Sequence, residues 1–194
     1  MLEPFLFGAK RQGIVVQTHK GSPIQNYIAP PPSQYHVNCY YGVLRPTHGK
    51  QWEPRKDAVG VYNCAGMVWA NRRTCLTEPE EWELILNEDG YRKLDNEDDA
   101  DIGDVAVYRN RVDGEIMHVA RVCRKQRLHT PGGEPSKPIL RALSKWDQSC
   151  GEDIHALPDV HIDGGTPFHI EIWTDRPAKP TPQIAQVPEL LLPL

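Results

Sequence analysis

Apolar positions along this chain follow two different periods, and the change between them divides it. From Asn63 to Gly90 they recur at helical spacing, whereas from Asp104 onward they alternate or run in short stretches between turns. In "NCAGMVWANRR" (63 to 73), Asn63 is a good N-cap, the run after it is helical, and Arg72 with Arg73 suits a helix end. "TEPEEWELILNEDGY" (77 to 91) predicts a second helix: Pro79 and acidic residues open it, Trp82, Ile85 and Leu86 form its stripe, and Gly90 stops it. "DVAVYRN" (104 to 110) and "EIMHVARVC" (115 to 123) then flank Asp113-Gly114, a strong hairpin turn pair. Alternation places Ile116, His118, Ala120 and Val122 on one face of the second strand. A Gly/Pro-rich loop (130 to 138) leads to a third strand, "ILRALSKW" (139 to 146), and "PFHIEIWTD" (167 to 175) reads as a fourth.

The first third is less regular. "GIVVQ" (13 to 17) and "YHVNCYYGVL" (35 to 44) have strand-like composition, "APPPSQ" (29 to 34) must be extended or turning, and 45 to 58 is loop chemistry. Helices segregated from an antiparallel meander make an α+β chain. It divides into a segment of residues 1–60 packing on the rest, a core of residues 61–176, and a proline-rich tail of residues 177–194 whose Leu-rich end offers a docking segment for a partner protein.

At 194 residues the chain is long enough for one well-buried domain. Its formal charge of −4 carries no basic footprint, so nucleic acid is not an expected partner. No stretch has the apolar length that spans a bilayer, and "MLEPFLFGAKRQG" does not read as a secretory signal, so the expectation is a cytoplasmic protein without a membrane partner. The five cysteines, at 39, 64, 75, 123 and 150, are widely spaced and form no Cys-x-x-Cys, which argues against a disulfide framework and against a metal centre. Reduced thiols are the simple reading for four of them.

Cys64 is the exception, because it stands where a helix begins and is followed by Ala65 and Gly66. Unpaired N–H groups there favour a thiolate, and the N–H of Cys64 itself can meet an oxyanion, with Tyr62 or Asn63 offering a second donor. Cys39, followed by two tyrosines in a strand-like stretch, lacks these features. A thiol nucleophile needs a base. His118 interrupts an apolar strand just after the tight turn, so it is either a satisfied core histidine or a working one. If strands 115–123 and 139–146 pair antiparallel, His118 lies opposite Ser144 to Asp147, which makes Ser144 the first choice to orient the ring, with Asp147 and His155 as alternatives. Trp69, Trp82 and Trp146 are core aromatics, Trp146 also being placed to wall a cleft with Asp147 and His155. Lys145 reads as a surface lysine, and Glu171 with Arg176 as a surface ion pair.

"YNCAGMVWA", followed by "IGDVAVYRN", "GEIMHVARV" and a polar residue on the next strand, resembles the NlpC/P60 and CHAP branch of the papain-like cysteine peptidases and amidases over about residues 60 to 175. The matching positions are Cys64, Gly103-Asp104, His118 and Ser144. The resemblance implies a papain-like fold with N-terminal helices packed on the meander. It also implies a cofactor-free thiol hydrolase acting on an amide in a peptide-type substrate. A thioester-forming acyltransferase and a silent papain-like module that binds a partner protein are the alternatives.

Overall fold

The computed structural model describes residues 11–48, 51–127, 136–160, 162 and 165–178. Its first part holds β1 (Arg11–Gln12), β2 (Asn26–Ile28), α1 (Gln34–Cys39), a π-helical turn (Tyr40–Leu44), α2 (Arg45–His48) and β3 (Glu53–Lys56). Then come α3 (Cys64–Trp69), β4 (Cys75–Leu76), α4 (Pro79–Glu88) and β5 (Arg92–Lys93). The strands β6 (Val105–Asn110), β7 (Ile116–Gln126), β8 (Ile139–Lys145), β9 (Glu152–Ala156) and β10 (Phe168–Thr174) follow. The architecture is α+β, with few helices and antiparallel pairing throughout. A seven-stranded sheet has the order β3-β9-β8-β7-β6-β10-β5, and β1, β2 and β4 form a small second sheet.

Strand β6 explains why the large sheet is central. Val105 and Val107 pack into a cluster with Met67 and Val68 of α3 and with Ile85 and Leu86 of α4. Ala106 and Tyr108 point the other way, into a second cluster with Ala120, Val122, Ala142 and Ile172. A strand covered on both faces needs an uninterrupted apolar run, and "VAVY" supplies one. On β10 the pattern alternates, with Ile170 and Ile172 in the far cluster and Trp173 on the helix side.

Helix α3 is short and closely held. Asn63 caps it by accepting from the Gly66 N–H at 2.9 Å, and the same oxygen accepts from the Leu76 N–H at 3.1 Å. The chain leaves through Asn71 and Arg72 at φ 47° and 63°, an uncommon path for residues with a Cβ. The Arg72 side chain is anchored there by Glu152, which accepts from Nε at 2.6 Å. Gly66 lets the helix press on the backbone before β4, since a Cβ there would stand 1.8 Å from the Thr74 carbonyl oxygen.

Several expectations are corrected. Residues 35 to 44 are helical, because Ser33 caps α1 by accepting from the His36 N–H and Tyr40 is anchored through its hydroxyl to Asp153. Residues 13 to 17 join no strand beyond a single bridge from Gln17 to Pro23, while the stretch read as loop contains α2 and the edge strand β3. On β7 a bulge at Met117 moves Ile116 off the His118 face: Tyr108 pairs with His118 but Arg109 with Ile116. Ile116 therefore packs with Val119. Lys145 is fully buried, its ammonium donating to the Val59 carbonyl at 2.9 Å and to that of Cys150. Glu171 pairs with Lys93 and Arg109, and Arg176 with Asp104, rather than with each other. Residues 128–135 and the proline-rich tail from 179 on lie outside the described residues.

Gly66→Ala should destabilise the fold by about 2–3 kcal/mol in urea unfolding, the usual cost of overpacking against backbone that cannot yield. Gly42→Ala, with open space around its Cβ, should be neutral or gain up to about 1 kcal/mol. Equal effects at the two positions would contradict the packing described for α3.

Candidate functional site

Four elements meet at the end of the sheet where β7 begins. Helix α3 places Cys64 there, β7 places His118, β8 places Ser144 one residue before its end, and β9, paired beside β8, brings His155. The register places Ala142 opposite His155 and Ser144 opposite Asp153, so Ser144 and His155 stand on one face within reach of each other. His118 Nε2 lies 3.1 Å from Ser144 Oγ, and His155 Nε2 lies 2.7 Å from the same oxygen. His155 Nδ1 lies 2.7 Å from the Ala156 carbonyl oxygen. Ser144 and His155 are fully buried and His118 is 5% exposed.

Aromatic rings hold this chain in place. The Trp146 indole stacks on the His118 ring at 5.8 Å with 9° between planes, stacks on Trp52 at 4.1 Å, and meets the His155 ring at 4.7 Å. Tyr108 closes on the His118 ring at 5.4 Å. The Trp146 Nε1–H donates to Asp153 at 3.1 Å, which fixes the indole plane. Burial drives both imidazoles toward the neutral form: the His118 pKa falls to about 3, with the nearby His155 adding to the effect, and that of His155 falls to about 4.

A cleft of about 730 Å³ opens beside these residues, lined by Trp82, Ile116, Met117, His118, Trp146 and Asp147 among others. His155, expected at the cleft, lies behind Ser144 and does not line it. Asp147 does reach the cleft, and its carboxylate accepts from the Gln148 N–H and from the Ser149 hydroxyl, closing a local turn.

The Cys64 sulfur is placed less openly. It is 8% exposed, belongs to the helix-side cluster with Val119, and is not among the cleft-lining residues. Backbone N–H groups of Val119 and Ala65 favour a thiolate, yet burial outweighs them and lifts the thiol to about 11. Val119 adjoins His118 in the chain, but alternation along β7 turns Val119 to the helix side with Cys64 and His118 to the far face with Tyr108 and Ser144. Among the described residues, no hydrogen bond joins Cys64 to His118. Burial therefore leaves a neutral thiol and a neutral imidazole rather than an ion pair.

The side chains of Tyr62 and Asn63 are committed elsewhere. The Tyr62 hydroxyl donates to Glu152 at 2.6 Å, and the Asn63 amide donates to the Leu76 carbonyl at 2.6 Å while its oxygen caps α3. Only backbone N–H groups at these positions are left for an oxyanion. Trp52 and Asp153, which fix Trp146, carried little signal in the sequence: Trp52 sits in a polar loop, and Asp153 adjoins a second acidic residue in "GEDIHA". Comparison of the chain with protein-family models, with curated proteins and with solved structures returns no match.

The neutral imidazoles make stability pH-dependent. The unfolded chain takes up protons at both histidines below about pH 6.5, while the folded chain resists until near pH 3 to 4, so stability falls as pH drops through that window. Each histidine contributes up to about 1.4 kcal/mol per pH unit there. Urea midpoints should decline from pH 6.5 downward in the parent and less steeply in His155→Gln. A midpoint flat to pH 4.5 would contradict neutral burial of the two rings.

Proposed function

We propose that the chain is a papain-like thiol hydrolase that cleaves an amide-type bond, with Cys64 as nucleophile and His118 as base. The observation that carries this reading is the His118–Ser144 contact at 3.1 Å, held at the sheet end where Cys64 opens α3 and walled by the stacked Trp146. Burying three polar groups in one row costs stability unless each is paired, and here each is. Such a row suits a base that must be held in one orientation.

The reaction requires the start of α3 to bring the Cys64 sulfur round the end of β7 to the His118 side; there the sulfur bonds to the substrate carbonyl carbon as the thiol proton passes to His118. The carbonyl electron pair moves to oxygen, within reach of the Cys64 N–H. Collapse breaks the C–N bond, and His118 returns its proton to the departing amine. Water, deprotonated by His118, then attacks the thioester carbon and releases the acid, and the thiol is restored. With the thiol near 11 at rest, proton transfer accompanies attack rather than preceding it.

Two observations favour a second reading, a silent module of the same fold that binds a partner: Cys64 is buried and does not line the cleft, and it stands on the helix face of β7 while His118 stands on the other. A panel of fluorogenic peptidyl and aminoacyl amides separates the two. The hydrolase should turn over at least one class, lose all turnover in Cys64→Ala, and lose about a hundredfold or more in His118→Ala. No turnover across the panel, or turnover that survives Cys64→Ala, overturns the proposal.

A further inference from the structure

The two contacts on Ser144 are chemically unequal, and the inequality can be traced from a group whose role is fixed. The Ala156 carbonyl only accepts, so the His155 Nδ1 at 2.7 Å carries a hydrogen. A neutral imidazole has one N–H, which leaves His155 Nε2 with a lone pair alone. The Ser144 hydroxyl, 2.7 Å away, therefore donates to it. Its single proton spent, the Ser144 oxygen can offer only lone pairs to His118 Nε2 at 3.1 Å. His118 must then carry its hydrogen on Nε2 and keep Nδ1 bare. Among the described residues no hydrogen bond engages that second nitrogen.

We infer that His155 is a positioning residue: acting through Ser144, it selects the tautomer of His118 that leaves Nδ1 free to take up a proton. Every donor in the row points toward the Ala156 carbonyl, so reversing any one would set a lone pair against a lone pair. The arrangement also fits the proton's journey. When His118 becomes an imidazolium, the new hydrogen sits on Nδ1, the Nε2–H to Ser144 stays in place, and no proton moves along the row. Ser144 alone would not achieve this, because a serine hydroxyl can equally donate to His118 Nε2 and draw the hydrogen to Nδ1.

The consequence for activity rests on the thiol-hydrolase reading, whereas the tautomer itself does not, and the test separates them. Protein carrying ¹⁵N-histidine is examined by long-range ¹H–¹⁵N correlation near neutral pH, in the parent, His155→Phe and His155→Gln. In the parent, His118 should show a protonated Nε2 and a bare Nδ1. In His155→Phe the freed serine proton should move a large share of His118 to the Nδ1–H form. In His155→Gln the amide oxygen can again accept from Ser144, and the parental signature should return. Amide turnover, where the parent has it, should fall about ten- to hundredfold in His155→Phe and recover in the glutamine variant. Should His155→Phe fail to fold, Ser144→Ala gives the same reading, because without the relay the His118 nitrogens lose their parental preference. A parent with its hydrogen on Nδ1, or a tautomer unmoved in the folded variants, overturns the inference. The predicted tautomer changes in a parent without turnover would leave the relay standing and remove the hydrolase.

Discussion

A single serine proton organises this end of the molecule. Ser144 lies fully buried between two imidazoles, with one hydrogen to give and two nitrogens to satisfy. Strand β9 must stay in register beside β8 so that His155 can accept. Strand β7 must present His118 on that same face, and the bulge at Met117 lets it do so while Ile116 returns to the helix side. An unpaired polar group here would cost about 1–3 kcal/mol, which is comparable to much of the margin by which a domain of this size stays folded.

The opposite face of the same strands solves a parallel problem with charges. Lys145 alternates with Ser144 and points toward the helices, where two carbonyls and the Tyr62 ring, 4.9 Å away, receive its ammonium. Burial lowers its pKa to about 8. Beside it on β9, Glu152 accepts from Tyr62 and Arg72, which ties the exit of α3 to the sheet. The position of Cys64 at the start of α3 is thus set by the cap at Asn63 and by the anchor at Arg72. The two polar systems, one on each face, hold the start of α3 and the His118 ring in place from opposite sides of the sheet.

The sequence made the central meander legible because β6, β7 and β8 carry strong apolar signals and a clear turn, and α3 and α4 carry caps and stops. It also brought His118, Ser144 and His155 into one frame, because antiparallel pairing of β7 with β8 is the simplest use of the loop between them. What it hid were features in which tertiary partners override local preference. "GEDIHA" does not look like a strand, since its buried Glu152 and Asp153 become tolerable only through Arg72, Tyr62, Tyr40 and Trp146. Lys145 looked solvated because its carbonyl partners come from residues 59 and 150, which no periodicity connects. The bulge at Met117 leaves no mark in composition. The helical turns over residues 34 to 48 were masked by tyrosines and valines whose intrinsic preference is for strands.

Everything functional in this account turns on whether Cys64 is reached by an acyl donor and deprotonated by His118 as it attacks. The direct test is to expose the folded protein to an activated acyl ester, quench in acid, and map thioesters by peptide mass spectrometry in the parent and in His118→Ala. The account predicts an acyl group on Cys64 in the parent and its loss in the variant, while the surface thiols of both proteins react alike. Acylation confined to Cys39 and Cys123, or a Cys64 adduct indifferent to His118, would contradict it.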